Sequence, residues 1–197
     1  ALGDPNIEAV IIATPHGLHE EMFLASVKAG KQIFCEKPFA LTSKAARGMI
    51  KAAEARKIVI GIGHERRFEG AFEEIKRVVD AGELGTLLHL EFNASYNNMV
   101  KAPAKGWRKD PKQAPAGMMT ALGVHQTDFM QTIAGSVNKI NAQLTQRSED
   151  FPNEDVLTVQ FLFNSGMSGS LTSLATTPFY QRMSIFGDRG WIENREV

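Results

Sequence analysis

Residues 8–15 read EAVIIATP, a continuous apolar run that stops at Thr14-Pro15. An apolar run without polar alternation suits a strand covered on both faces. Just downstream, residues 17–29 place Leu18, Met22, Ala25 and Ala29 at helical spacing, and Gly30 stands where helices stop. Residues 32–35 form a second short apolar run, ended by Glu36-Lys37-Pro38. Thr42 can cap a helix in which Ala46, Met49, Ile50 and Ala53 share a face, and residues 58–63 form a third run. Strand–helix–strand–helix–strand with short strands is the pattern of parallel α/β units.

Beyond Gly63 the texture changes. Phe72, Ile75 and Val79 mark an amphipathic helix closed by Gly82 and Gly85, and residues 87–96 (LLHLEFNASY) alternate as a strand with one solvated face does. Residues 101–115, rich in Pro and Lys, read as a loop. Residues 117–134 read as a helix with Leu122, Phe129 and Ile133 on its apolar side. From Asp155 a hairpin is expected, with Leu157, Val159, Phe161 and Phe163 alternating, a turn at residues 164–166 and a return over 167–175. Residues 183–186 and 190–193 flank a last turn. The second part is α plus mostly antiparallel β, without repeats.

The 197 residues contain 22 Lys+Arg and 22 Asp+Glu, a formal net charge of zero. Eight basic and six acidic residues lie up to Gly63, fourteen and sixteen after it, so neither part is a basic arm or acidic tail. That balance argues against nucleic acid or anionic lipid as the main partner. A 43% hydrophobic, 22% charged composition fits a globular chain. The uncharged run 156–181 is interrupted by Asn164-Ser165-Gly166 and is rich in Ser and Thr, so it does not read as a membrane helix. The single cysteine, Cys35, cannot form an internal disulfide and suits a reducing compartment. With no basic-then-apolar segment at the start, a cytoplasmic protein is expected.

Three places carry candidate chemistry. Ala13-Thr14-Pro15-His16 ends the first strand and runs into a helix, where parallel sheets hold ligands; taken alone it reads first as a plain turn. Lys37, at the next strand end and braced by Pro38, can point over the sheet edge or sit on the surface. Ala121, His125 and Asp128 are spaced four and three apart on one helix, so His125 could be a general base oriented by Asp128, or the two a helix ion pair. No second His or Cys stands at zinc-ligand spacing, so no metal is expected. Nucleophile-elbow and phosphate-loop patterns are absent from the sequence.

Taken in order, these stretches resemble the glucose–fructose oxidoreductase / inositol dehydrogenase / rhizopine-catabolism (Gfo/Idh/MocA) family. The likeness runs through residues 4–22 (DPNIEAVIIATPHGLHEEM), 29–42 (AGKQIFCEKPFALT), 60–72 (IGIGHERRFEGAF), 80–92, 106–111 (GWRKDP), 117–130 (GMMTALGVHQTDFM), 154–171 and 185–193. Glu-Lys-Pro and Gly-x-His-x-x-Asp are its specific elements. The resemblance implies an NAD(P)-dependent enzyme acting on a CH–OH group of a sugar, cyclitol or related small molecule. Its fold would be α/β: the C-terminal half of a Rossmann-type parallel sheet over residues 1–65, then an α+β substrate domain with an open, mostly antiparallel sheet over 66–197. By the same resemblance Ala13, Thr14, Pro15, His16, His19, Glu36, Lys37 and Arg66 would lie along an NAD or NADP cofactor. Lys37 and His125 would be catalytic, Trp107, Arg108 and Asp128 would line the substrate site, and the open sheet would pair copies into a homo-oligomer. Lys37–Pro38 is a candidate cis peptide bond.

Two departures qualify the resemblance. Many members carry Asp one helical turn before the catalytic His, where this chain has Ala121. Transient oxidation for glycoside cleavage or epimerisation, or a non-catalytic dinucleotide-binding regulator, are therefore the alternatives to a dehydrogenase. The Gly-x-Gly-x-x-Gly turn that receives a pyrophosphate is also absent. The chain thus reads as an internal fragment, expected to bind NAD(P) weakly and not to turn over alone.

Overall fold

The computed structural model describes residues 1–101, 106–149, 151 and 153–196, with Met99 described by its backbone alone. The chain divides into two compact units, Ala1–His64 with Lys112–Ala114, and Glu65–Pro111 with Pro115–Val197.

In the first unit, strands β1 (Ala9–Ile12), β2 (Gln32–Glu36) and β3 (Ile60–Gly63) form a parallel sheet in that order. A 3-10 turn, His16–Leu18, leads into helix α1 (His19–Lys28), and helix α2 (Ser43–Ala55) joins β2 to β3. Thr42 caps α2 as its sequence position implies, its hydroxyl oxygen accepting the Ala45 N–H at 3.1 Å. The core lies on one face of the sheet, where Ile12, Ile33 and Cys35 meet Phe23, Val27, Met49 and Ala53. The other face leaves Ile11 76% and Val59 72% exposed, so within this unit the apolar strands are covered on one side. The α1 face read from sequence is corrected: His19, Phe23, Ser26 and Val27 are buried, while Leu18 and Met22 are exposed. Both stripes have helical spacing, and the one bearing the large Phe23 ring takes the core. Lys31 is buried beside β2 and donates to the Asp4 and Ile7 carbonyls at 2.8 and 2.7 Å.

The second unit is a mixed, mostly antiparallel six-stranded sheet with helices. Its strands are β4 (Leu87–Ser95), β5 (Val137–Thr145), β6 (Val156–Phe163), β7 (Ser168–Leu174), β8 (Tyr180–Gly187) and β9 (Trp191–Glu196), ordered β5-β6-β7-β4-β8-β9. The one parallel pairing is β4 with β7. Helices α3 (Gly70–Asp80) and α5 (Val124–Ala134) contribute Phe72, Ile75, Phe129 and Met130 to a core with Leu90, Phe92, Val159, Phe163 and Ile185. Phe72 and Phe129 stack with centroids 4.4 Å apart. Helix α4 is the single turn Asn98–Lys101. Asp155, 1% exposed, accepts the Arg147 and Ser148 N–H groups and the Thr176 hydroxyl, fixing the entry to β6.

Two local features differ from the reading above. Strand β5 has no counterpart in that reading, because its register shifts between Val137 and Lys139 and the alternation breaks there. The helix expected over 117–134 is regular only from Val124; Met119–Gly123 is a π-helical turn, entered through left-handed Ala116 (φ 58°) and Gly117 (φ 49°). Ala121 therefore does not precede His125 by a regular α-helical turn. Part of the loop expected over 101–115, residues 102–105, lies outside the described residues.

Candidate active site

In the first unit the candidate residues gather at the carboxyl ends of β1 and β2. The turn Ala13–His16 follows β1, with Pro15 extended (φ −52°, ψ 144°) ahead of the 3-10 turn. The Thr14 hydroxyl oxygen is buried with no hydrogen-bond partner among the described residues. His16 lies edge-on to His19, with ring centroids 5.8 Å apart. Glu36 ends β2, its Oε2 accepting the Lys37 N–H at 3.2 Å, and Lys37–Pro38 is cis. A Cβ at position 63 would meet the Glu36 carboxylate at 2.8 Å, so glycine there makes room for it.

His19 sits deeper than its neighbours at this edge. Its ring is fully buried, with Nδ1 2.9 Å from the Pro38 carbonyl oxygen and Nε2 3.0 Å from that of Thr14. Both ring nitrogens are engaged with backbone. The side chain ties the turn after β1 to the turn after β2.

In the second unit the candidates lie on the 3-10 segment Glu65–Phe68, the 3-10 turn Trp107–Lys109 and α5. His125 is 4% exposed, and its Nε2 lies 3.7 Å from Glu65 Oε1. Asp128, one turn on, accepts a two-pronged contact from Arg67, Nε to Oδ2 at 2.6 Å and Nη2 to Oδ1 at 2.5 Å. That pairing holds the Arg67 guanidinium more firmly protonated. Arg66 donates from Nη1 to Gln181 Oε1 at 3.1 Å and lies 3.9 Å from Glu69. Arg108 stacks over the Trp107 ring at 4.3 Å. Burial pushes the Tyr96 phenol up, and the Arg66 and Arg108 guanidiniums pull it back down.

Four residues of this second cluster were not singled out from sequence: Glu65, Tyr96, Gln126 and Gln181. Gln126 is buried beside His125, its amide nitrogen and oxygen without partners among the described residues. Glu65 and Tyr96 carry no periodic signal, and a buried Gln on an amphipathic helix looks like any polar position. Among the described residues no group of three or more His, Cys, Asp or Glu could hold a metal ion, and no helix is long and apolar enough to cross a membrane.

Comparison with known proteins gives this geometry a family. Residues 1–64 match the family model described as oxidoreductase family, NAD-binding Rossmann fold, and residues 72–193 match that of the GFO/IDH/MocA C-terminal domain. The chain is 28% identical to 1,5-anhydro-D-fructose reductase of Ensifer adhaerens over 100% of its own length and 59% of the relative's. It is 27% identical to scyllo-inositol 2-dehydrogenase (NAD(+)) of Bacillus subtilis (strain 168), covering 97% of this chain and 56% of that one. A solved levoglucosan dehydrogenase in complex with NADH and levoglucosan superposes with a TM-score of 0.88 at 26% identity, over 98% of this chain and 55% of that one. The chain spans about half the length of the curated relatives it matches. With both halves matched in family order, the chain belongs to the GFO/IDH/MocA oxidoreductase family.

Proposed function

We propose that the protein bearing this chain is an NAD(P)-dependent oxidoreductase that acts on a CH–OH carbon of a sugar, cyclitol or similar polyhydroxylated molecule. The observation that carries the reading is the carboxyl edge of the parallel sheet. There an orphaned buried hydroxyl (Thr14), a carboxylate (Glu36) and an amine (Lys37) stand at neighbouring strand ends. These groups fit a dinucleotide's nicotinamide half: a carboxylate to accept from ribose hydroxyls, and a hydroxyl lacking a partner. Thr14, Pro15, His16 and Glu36 would hold it, and Arg66 is a further candidate contact.

When bound, the nicotinamide ring supplies the carbon that accepts or returns hydride. The chain's own part is the proton. Lys37 and the His125 imidazole are the groups assigned to hold and move it at the substrate oxygen. Trp107 and Arg108 offer a flat, cationic wall that suits a sugar ring. Exposed apolar side chains on the second unit, with Trp191 66% and Leu162 43% exposed, suit pairing with a second copy. Cys35, single and buried, suits a cytoplasmic setting.

Lys37→Ala in the natural full-length enzyme tests the assignment. A lost acid–base group lowers kcat by about 10²–10⁴-fold while cofactor affinity changes little. A variant that keeps most of its turnover rules out Lys37 as the proton carrier.

A further inference from the structure

His125 is buried, yet a carboxylate stands within ion-pair distance of it. We propose that Glu65 is the positioning carboxylate of His125, orienting the imidazole and favouring its protonated form. The inference rests on the proposed role of His125 as a proton carrier.

Three observations support it. The Glu65 Oε1–His125 Nε2 distance is 3.7 Å, close enough for direct electrostatic coupling. Ala121, before His125, carries no charge, and both oxygens of Asp128, after it, accept from Arg67. Finally, Glu65 is held there by its backbone neighbours. The 3-10 segment Glu65–Phe68 is fastened to α5 through Arg67–Asp128 and to β8 through Arg66–Gln181. Glu65 is thus delivered to His125 from outside the helix, by a segment whose two arginines act as fasteners.

Several charged groups on the elements around this cluster have partners of their own, and the Tyr96 phenol lies under the influence of Arg66 and Arg108. On the Glu65–Phe68 segment Arg66 meets Gln181 and Glu69, and Arg67 meets Asp128. On the sheet Arg182 meets Glu91. The π-helical turn before α5 carries no charge. The Glu65 side chain is 64% exposed, so its influence is that of a solvent-screened partner and is sensitive to salt.

The test is a histidine-resolved NMR titration of this chain, with the His125 signal assigned by its loss in His125→Asn. In Glu65→Gln the His125 midpoint falls by roughly 0.2–0.7 pH unit, the size of coupling expected for an exposed partner. Glu65→Asp restores at least part of it, and added salt narrows the gap between wild type and Glu65→Gln. Because Glu65 is largely exposed, the Gln variant keeps the fold, which the remaining histidine signals report. An unchanged midpoint in Glu65→Gln overturns the proposal whatever the enzyme does. In the full-length enzyme the acidic limb of kcat/KM moves by the same amount. A shifted midpoint with no turnover would leave the Glu65–His125 pairing standing and reject the proposed reaction instead.

Discussion

Cys35 makes the cost of burial measurable. It is fully buried on the core face of β2, and burial, reinforced by the Glu36 carboxylate, pushes its thiol from 9.0 up to about 11. Below pH 9 the thiol is neutral whether the chain is folded or not. Above it the unfolded chain releases the proton first, so stability is lost as pH climbs toward 11. A gap of that size corresponds to at most about 2.7 kcal/mol. Denaturant unfolding of wild type and Cys35→Ala at several pH values should show the wild type's advantage shrinking above pH 9; a constant difference would contradict the account. Residue-level legibility divides along the same line of burial. Lys37 and Glu36 could be located because a strand end dictates where they sit. The engagement of His19 with two backbone carbonyls, and the approach of Glu65 to His125, depend on packing between segments distant in sequence and left no local pattern to read.

At the scale of elements, close backbone crossings decide which glycines matter. A Cβ on Gly187, at the end of β8, would run into the carbonyl of Leu84, and Asp188 and Arg189 then donate to Thr86 and Leu84 carbonyls to hold the crossing. Gly187→Ala should therefore destabilise the second unit by about 1–3 kcal/mol. Gly190→Ala, in open space within the same turn, serves as the control and should be close to neutral. Thermal unfolding of the two variants checks this; equal effects would refute it. The elements most legible in sequence were those with one uninterrupted period: the three parallel strands, α2 with its Thr42 cap, α3, and the β6–β7 hairpin. Where a second rule intruded, the pattern misled. The bulge shifted the register of β5, α1 carried two competing stripes, and the π-helical turn displaced Ala121 from the regular spacing before His125.

At the scale of the whole molecule, the order of elements is what ties the chain to its family. A parallel three-stranded sheet with ligand-type residues at its carboxyl edge is followed in sequence by a six-stranded sheet whose helix α5 begins with a buried histidine. That order is the order of the family's two domains. The central claim of the proposed function is that Lys37 and His125 handle the proton that accompanies hydride transfer. The most direct measurement is the appearance of reduced nicotinamide when the natural full-length protein is mixed with NAD or NADP and a panel of cyclitols, pyranoses and anhydrosugars. The account predicts stoichiometric formation of NADH or NADPH with at least one of them, abolished in His125→Asn and strongly reduced in Lys37→Ala. Tight dinucleotide binding with no nicotinamide reduction across the panel, and none in the reverse direction with the matching ketones, would contradict it.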